Sequence, residues 1–261
     1  SNTLVGKNIR LRYQVQVQAG TAGGTTDWFL PKPIAPVDEP INGVLRAYPL
    51  QSIANSITLT INGSSSVVSQ RQMLSALQRC EKKSLQKGTE SECPTQCDNL
   101  AILIPDSAGR LSGQVLSPYV NSDSTTRGSF VASTWSGTAT NIYQFDVCES
   151  LMVSPLSAEP NEVALPNINT LSLQLNYANL YDMLVFGSVG GTSAQPVIPA
   201  GITVTILNPT LELTYFSVAP SLVEIPRMYE TDYTNLVYFP KAYGQTISNT
   251  AFASWQVQSD T

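Results

Sequence analysis

Histidine is absent from the 261 residues. Its absence removes Ser-His-Asp and Cys-His catalysis, every His-ligated metal site and the commonest general base. Charge is scarce as well: Asp, Glu, Lys and Arg make up 13% of the chain, against about 25% in an ordinary soluble domain. The 14 basic residues are scattered among 19 acidic ones for a net charge of −5, which argues against direct contact with nucleic acid, because phosphate binding needs a clustered basic surface. No run approaches the ~18 to 20 apolar residues of a membrane span. The N-terminus lacks a charged-then-apolar signal pattern, and the chain begins at Ser1 without an initiator Met, as a mature or trimmed product does.

In place of charge the chain carries neutral polar side chains. Ser, Thr, Asn and Gln total 85 residues, beside 42% apolar residues. That apolar content is enough for a core and too high for disorder. The profile suits a β-rich extracellular or virion surface.

Period-two alternation recurs along the chain and predicts strands with one dry and one polar face. Ile9, Leu11, Tyr13, Val15 and Val17 alternate with Arg10, Arg12, Gln14, Gln16 and Gln18. Ile57, Leu59 and Ile61 alternate with Thr58 and Thr60 and run into Asn62-Gly63, a strong hairpin-turn dipeptide. Tyr143, Phe145 and Val147 repeat the pattern, as do Leu171, Leu173, Leu175 and Tyr177. Two further strands, 202–206 and 211–215, flank Asn208-Pro209, which should break or bend the ladder because proline cannot donate to it. A single segment reads as a helix, with Ser69 as N-cap, Gln72 three residues on, and Met73, Leu74, Leu77 and Cys80 at helical spacing. These elements predict an all-β fold, an antiparallel jelly-roll β-sandwich with one short inserted helix. About four strands are expected in each of two sheets, within a single domain over 1–261.

Charge is unevenly spread. Seven charges crowd into Arg79 to Glu92, whereas Asp182 is the lone charge from Val163 to Leu211. The first stretch belongs to a solvated excursion over 79–97, and the second should be covered largely by core or by a partner. Three of the four cysteines, Cys80, Cys93 and Cys97, fall in the excursion; the fourth is Cys148. A disulfide from Cys80 to Cys93 or Cys97 is the preferred reading, because a polar loop without its own core gains most from a cross-link. Reduced thiols and a four-cysteine zinc site are the alternatives, the zinc site disfavoured because only Cys93 and Cys97 form a close pair.

Few residues suggest chemistry. Asp146 with Glu149, and Glu159 with Glu162, are acidic neighbours that could pair as acid and base, but solvated loop charges are the better reading. Ser84 to Lys87 matches Ser-x-x-Lys without the companion motifs of penicillin-recognising enzymes. The sequon Asn62-Gly63-Ser64 reads first as a turn. No phosphate-binding loop or Gly-x-Ser-x-Gly elbow is present, so neither a catalytic residue nor a cofactor or metal site is assigned. Near the C-terminus, in the aromatic-rich segment 222–261, Tyr229, Tyr233, Tyr238, Phe239 and Tyr243, with Phe252 and Trp255, form a cluster. The first five are the candidate subunit contact, aromatics being common in such contacts.

The run Tyr48-Pro49-Leu50-Gln51-Ser52-Ile53-Ala54-Asn55, followed by the 57–61 strand, Asn62-Gly63 and the Ser69 helix, resembles a segment of the jelly-roll capsid proteins of icosahedral viruses. It is most similar to double jelly-roll major capsid proteins, in which a strand ends in an Asn-Gly or Gly-Gly turn before a short helix. The resemblance implies a coat protein that self-assembles into a virion shell, either a single jelly roll or one half of a double one. Its partners would be other capsid subunits and, through surface loops, a host receptor. Many capsid proteins of single-stranded RNA viruses carry a basic N-terminal arm that this chain lacks. Either the arm lies outside the chain, or something else contacts the genome, as in capsids built over an inner membrane. A β-sandwich glycan-binding module or adhesin is the alternative, and a His-free hydrolase using paired carboxylates stands behind it.

Overall fold

The computed structural model describes residues 3–7, 9–18, 43–74, 102–105, 111–114, 130, 132–136, 142–156, 164–186 and 201–219. Along them run β1 (Thr3–Gly6), β2 (Arg10–Gln18), β3 (Gly43–Leu45), helix α1 (Pro49–Ile53), β4 (Ala54–Ile61) and β5 (Ser64–Val68). A second helix, α2, occupies 70–74 of the described residues. Then come β6 (Ile102–Pro105), β7 (Leu111–Gln114), β8 (Thr134–Ser136), β9 (Ile142–Ser150), β10 (Ala164–Leu165) and β11 (Leu171–Tyr177). A 3₁₀ turn (Leu180–Met183), β12 (Leu184–Phe186), β13 (Thr203–Glu212) and β14 (Tyr215–Ser217) complete the order.

Two sheets carry the fold, one in the order β13-β2-β9-β8 and the other β11-β4-β5, every pairing antiparallel. Their inner faces meet in one core. Leu11, Tyr13, Val15 and Val17 of β2 and Tyr143, Phe145 and Val147 of β9 come from the first sheet, and Ile57, Leu59 and Val68 from the second. The alternating residues of β2 are therefore on the predicted face. Leu171, Leu173 and Leu175 also turn inward, in register with Ile61, Leu59 and Ile57, but stay half-buried because β11 is an outer strand of its sheet. Among the described residues of the uncharged stretch, Leu171, Leu173, Leu175, Val204 and Ile206 pack on the core, while Ser172, Gln174, Asn176, Thr203 and Thr205 are exposed on the single chain.

Asn208-Pro209 bends one strand rather than separating two. The register of β13 against β2 slips by one residue between Leu207 and Thr210, and Asn208 has φ 50°. The extra residue has a clear use. Ile206 and Leu211 are an odd number of residues apart and would face opposite ways on a regular strand, yet both pack against the core; the bulge restores the phase.

The Asn62-Gly63 turn has φ 49° and 88°, both in the left-handed region that two-residue hairpins require. The Asn62 side chain donates to the Asn167 carbonyl at 2.8 Å and accepts from the amides of Asn169 at 2.8 Å and Thr170 at 3.1 Å. It ties the β4–β5 turn to the segment entering β11.

The expectation of a single helix needs correction. Helix α2 starts after Ser69 as read, with the Met73 amide bonded to the Ser69 carbonyl, and Leu74 packs against the core. The five-residue α1 adds a helix that periodicity could not reveal. It has Pro49 in its first turn, and its N-cap Tyr48 makes no side-chain cap bond. Asp182, the lone charge of its stretch, lies 3.5 Å from Arg71, so the 3₁₀ turn is linked to α2.

Candidate assembly surface

The sandwich leaves two outer faces of different chemistry. On the four-stranded sheet, register places Arg12 opposite Cys148 and Thr210, and Gln14 opposite Asp146 and Leu207. Arg12 pairs with Glu212, and Gln14 donates to Asp146 at 2.8 Å. This is a charged, internally paired face with polar side chains already in contact.

Among the described residues the outer face of β11-β4-β5 carries no charge. Register sets Ser172, Thr60 and Ser65 in one cross-strand row, and Gln174, Thr58 and Val67 in the next. Asn176 lies opposite Ser56 beyond them. The Thr60 and Ser65 hydroxyls are 2.8 Å apart, and Val67 is 57% exposed. Elsewhere Tyr177 ends β11, and Tyr215 and Phe216 lie on β14, all three exposed. Their exposure is not evident from sequence, since Tyr177 reads as the last member of an inward-facing alternation. A Cβ on Gly6 would sit 3.2 Å from Phe216 Cε2, so the glycine permits the close approach of β1 and β14.

The acidic pair Asp146 and Glu149 is not a site. Both lie on β9, but Asp146 is exposed on the outer face and Glu149 is buried on the inner one, so they cannot converge on one substrate. Nor is Glu149 a solvated loop charge. Its Oε1 accepts from the Tyr13 hydroxyl at 2.6 Å and the Leu50 amide at 3.0 Å, and its Oε2 accepts from Gln51 Nε2 at 3.1 Å. Gln51 continues the network, donating to the Ser150 carbonyl and accepting from Gln70 and the Met152 amide. Burial pushes the Glu149 carboxyl above its ordinary range, while the hydrogen bonds from Tyr13, Gln51 and Leu50 pull it back. Both carboxylate oxygens of Glu149 are satisfied by protein groups, the buried Gln70 Oε1 at the far end of the network has no partner among the described residues, and the cluster holds α1 against the four-stranded sheet.

Cys148 is a buried thiol on β9. Cys80, Cys93 and Cys97, the Ser84 motif, Glu159 with Glu162, and Tyr229, Tyr233, Tyr238, Phe239 and Tyr243 lie outside the described residues. Among the described residues no three His, Cys, Asp or Glu side chains gather as a metal site, and no helix is long and apolar enough to cross a membrane.

The arrangement of these strands has a solved counterpart. A chain in the 3.5 Å cryo-EM structure of the Sputnik virophage superimposes with a TM-score of 0.58 over 86% of this chain, at 17% identity. The chain is an all-β jelly-roll sandwich. It spans 44% of the length of the Sputnik chain. The crystal structure of the mavirus major capsid protein aligns with a TM-score of 0.49 at 16% identity, over 86% of this chain and 43% of that one. No family model matches the sequence, and no curated protein does.

Proposed function

We propose that the chain is a structural capsid protein, a jelly-roll module that self-associates in a virion shell. The observation that carries this reading is the shared fold with a virophage chain over 86% of the sequence. Because the chain spans less than half of that protein, the module acts either alone or as one half of a longer shell subunit. The closed hydrogen bonding of Glu149, the one buried carboxylate among the described residues, agrees with a structural rather than an enzymatic role.

Within this reading the excursion 79–97 is an outward loop available to a receptor, cross-linked from Cys80 to Cys93 or Cys97. The aromatic set Tyr229, Tyr233, Tyr238, Phe239 and Tyr243 belongs to a subunit contact. The net charge of −5 leaves genome contact to another component.

Electron microscopy and light scattering on the purified chain test the proposal. Shells, rings or trimers are the expected outcome. A monomer at every concentration that binds a glycan array would overturn it in favour of a glycan-binding module.

A further inference from the structure

An asparagine followed by glycine is the dipeptide most open to loss of its side-chain amide, because glycine has no Cβ to hinder its own nitrogen. At Asn62-Gly63 the Gly63 nitrogen would attack Asn62 Cγ. A nitrogen–carbon bond forms, the Gly63 amide proton passes to solvent base, and the Cγ–Nδ2 bond breaks as ammonia leaves. Water then opens the resulting succinimide at either carbonyl, giving aspartate or isoaspartate at position 62. Asn62 and Gly63 are exposed. Among the described residues no heavy atom lies within 4 Å of the place a Gly63 Cβ would occupy, so nothing crowds the attacking nitrogen.

The folded turn opposes this reaction in two ways. Asn62 has φ 49°, and in the left-handed region ψ is about +47°. That angle sets the Gly63 nitrogen anti to the Asn62 Cβ, whereas ring closure needs the two nearly eclipsed. The carboxamide is also clamped at both ends. Its Nδ2 donates to the Asn167 carbonyl at 2.8 Å, and its Oδ1 accepts from the Asn169 and Thr170 amides at 2.8 and 3.1 Å. The Asn62 amide adds a bond to the Thr170 carbonyl at 3.0 Å. Two amides on Oδ1 would by themselves favour an oxyanion there. Reach decides against them, since a nucleophile held away from Cγ gains nothing from a polarised carbonyl.

We propose that Asn62 is a conditional modification site, converted only in molecules whose β4–β5 turn has come off 167–170, and that conversion weakens the tie when the turn docks again. In the aspartate product one oxygen still accepts from the Asn169 and Thr170 amides. The other takes the place of Nδ2 and meets the Asn167 carbonyl, acceptor against acceptor. In isoaspartate the main chain gains a methylene inside a two-residue hairpin, whose register depends on loop length. Each converted molecule thus keeps a permanent record of one opening. The inference does not depend on the capsid reading.

The chain holds its own reference for the test. Asn42-Gly43 is its other Asn-Gly pair, and Ile41 precedes it as Ile61 precedes Asn62. The full chain is incubated at one pH and temperature with and without urea, and both pairs are followed by peptide mass spectrometry, with circular dichroism reporting the fold. In urea the two should convert at closely similar rates. Without urea Asn62 should convert slower by roughly tenfold or more, as a reaction gated by local opening does. Conversion of Asn62 as fast in the folded chain as in urea would overturn the inference. Faster conversion in the folded chain would overturn it too, and would assign the two amides on Oδ1 a catalytic part. Asn62→Asp reproduces one product and should fold, yet exchange its Asn169 and Thr170 amide hydrogens faster than the parent does. Unchanged protection of those two amides would show that the tie re-forms intact and would overturn the proposed consequence of conversion.

Discussion

The Tyr13 hydroxyl donates to Glu149 Oε1 across 2.6 Å, linking β2 to β9 through two buried side chains. The same two oxygens lie 3.0 Å from the Leu50 amide in the first turn of α1. A helix start leaves its first amides without intrahelical partners. Here a tyrosine and a glutamate from two strands supply what no local cap provides. Tyr13→Phe removes one of the two donors to Glu149 Oε1 and should cost about 1–3 kcal/mol. Glu149→Ala leaves the donors of Tyr13 and Gln51 without their acceptor and should cost more. Urea unfolding of the two variants gives the order; a smaller loss for Glu149→Ala would show that the cluster does not hold α1.

The pH dependence of this cluster follows from burial of Glu149. Burial raises its carboxyl above the ordinary value of 4.5, so the folded state holds the proton more tightly than the unfolded state does. The stabilisation linked to that proton is fully present below pH 4.5 and is lost as the pH rises through the folded value. Glu149→Gln cannot titrate. The unfolding free energy of the parent minus that of Glu149→Gln should therefore fall as the pH increases above 4.5 and level off above the folded value. A difference that rises with pH would contradict the assignment.

Asn62 combines a left-handed backbone with three side-chain hydrogen bonds to 167–170. Asn62→Gly keeps the conformation and loses the bonds, whereas Asn62→Ala loses both. The alanine variant should be the less stable of the two by about 1 kcal/mol, the cost of placing a Cβ in the left-handed region. Equal stability in thermal unfolding would mean that the turn relaxes out of that conformation.

The β13 bulge can be tested by deletion. Removing Pro209 alone leaves Ile206 and Leu211 an even number of residues apart, so both stay on the core side of a regular strand. Removing Asn208 and Pro209 together turns Leu211 and Leu213 outward. The single deletion should fold, and the double deletion should lose most soluble protein; similar yields would show that the phase of the strand is not set at this point.

The two faces of β4 should respond differently to charge. Leu59→Asp buries an unpaired carboxylate and should prevent folding, while Thr58→Asp, on the outer face, should not. Leu173→Asp should fall between them, because its position on an outer strand is only half covered. Comparable loss of soluble protein for all three would mean that Thr58 does not face solvent.

Alternation by itself determined β2, β4, β9, β11 and the two halves of β13, their inward faces and the hairpin at Asn62-Gly63, because a side-chain period of two and a turn needing two left-handed residues are local properties of the chain; the shorter strands carry too few residues to show a period. The fate of Glu149 was not local. Its role depends on β2 and α1 arriving beside β9 from more than ninety residues away, and nothing adjacent to it in sequence distinguishes it from the exposed Asp146 three residues earlier. Helix α1 was hidden for the same reason: five residues are too few to show a period, and its cap comes from other strands. The charge-free face was partly legible, since the stretch from Val163 to Leu211 is nearly uncharged in sequence. Only strand pairing could decide which of its residues join Thr58, Thr60 and Val67 on one surface, because register is a relation between strands and belongs to no single segment.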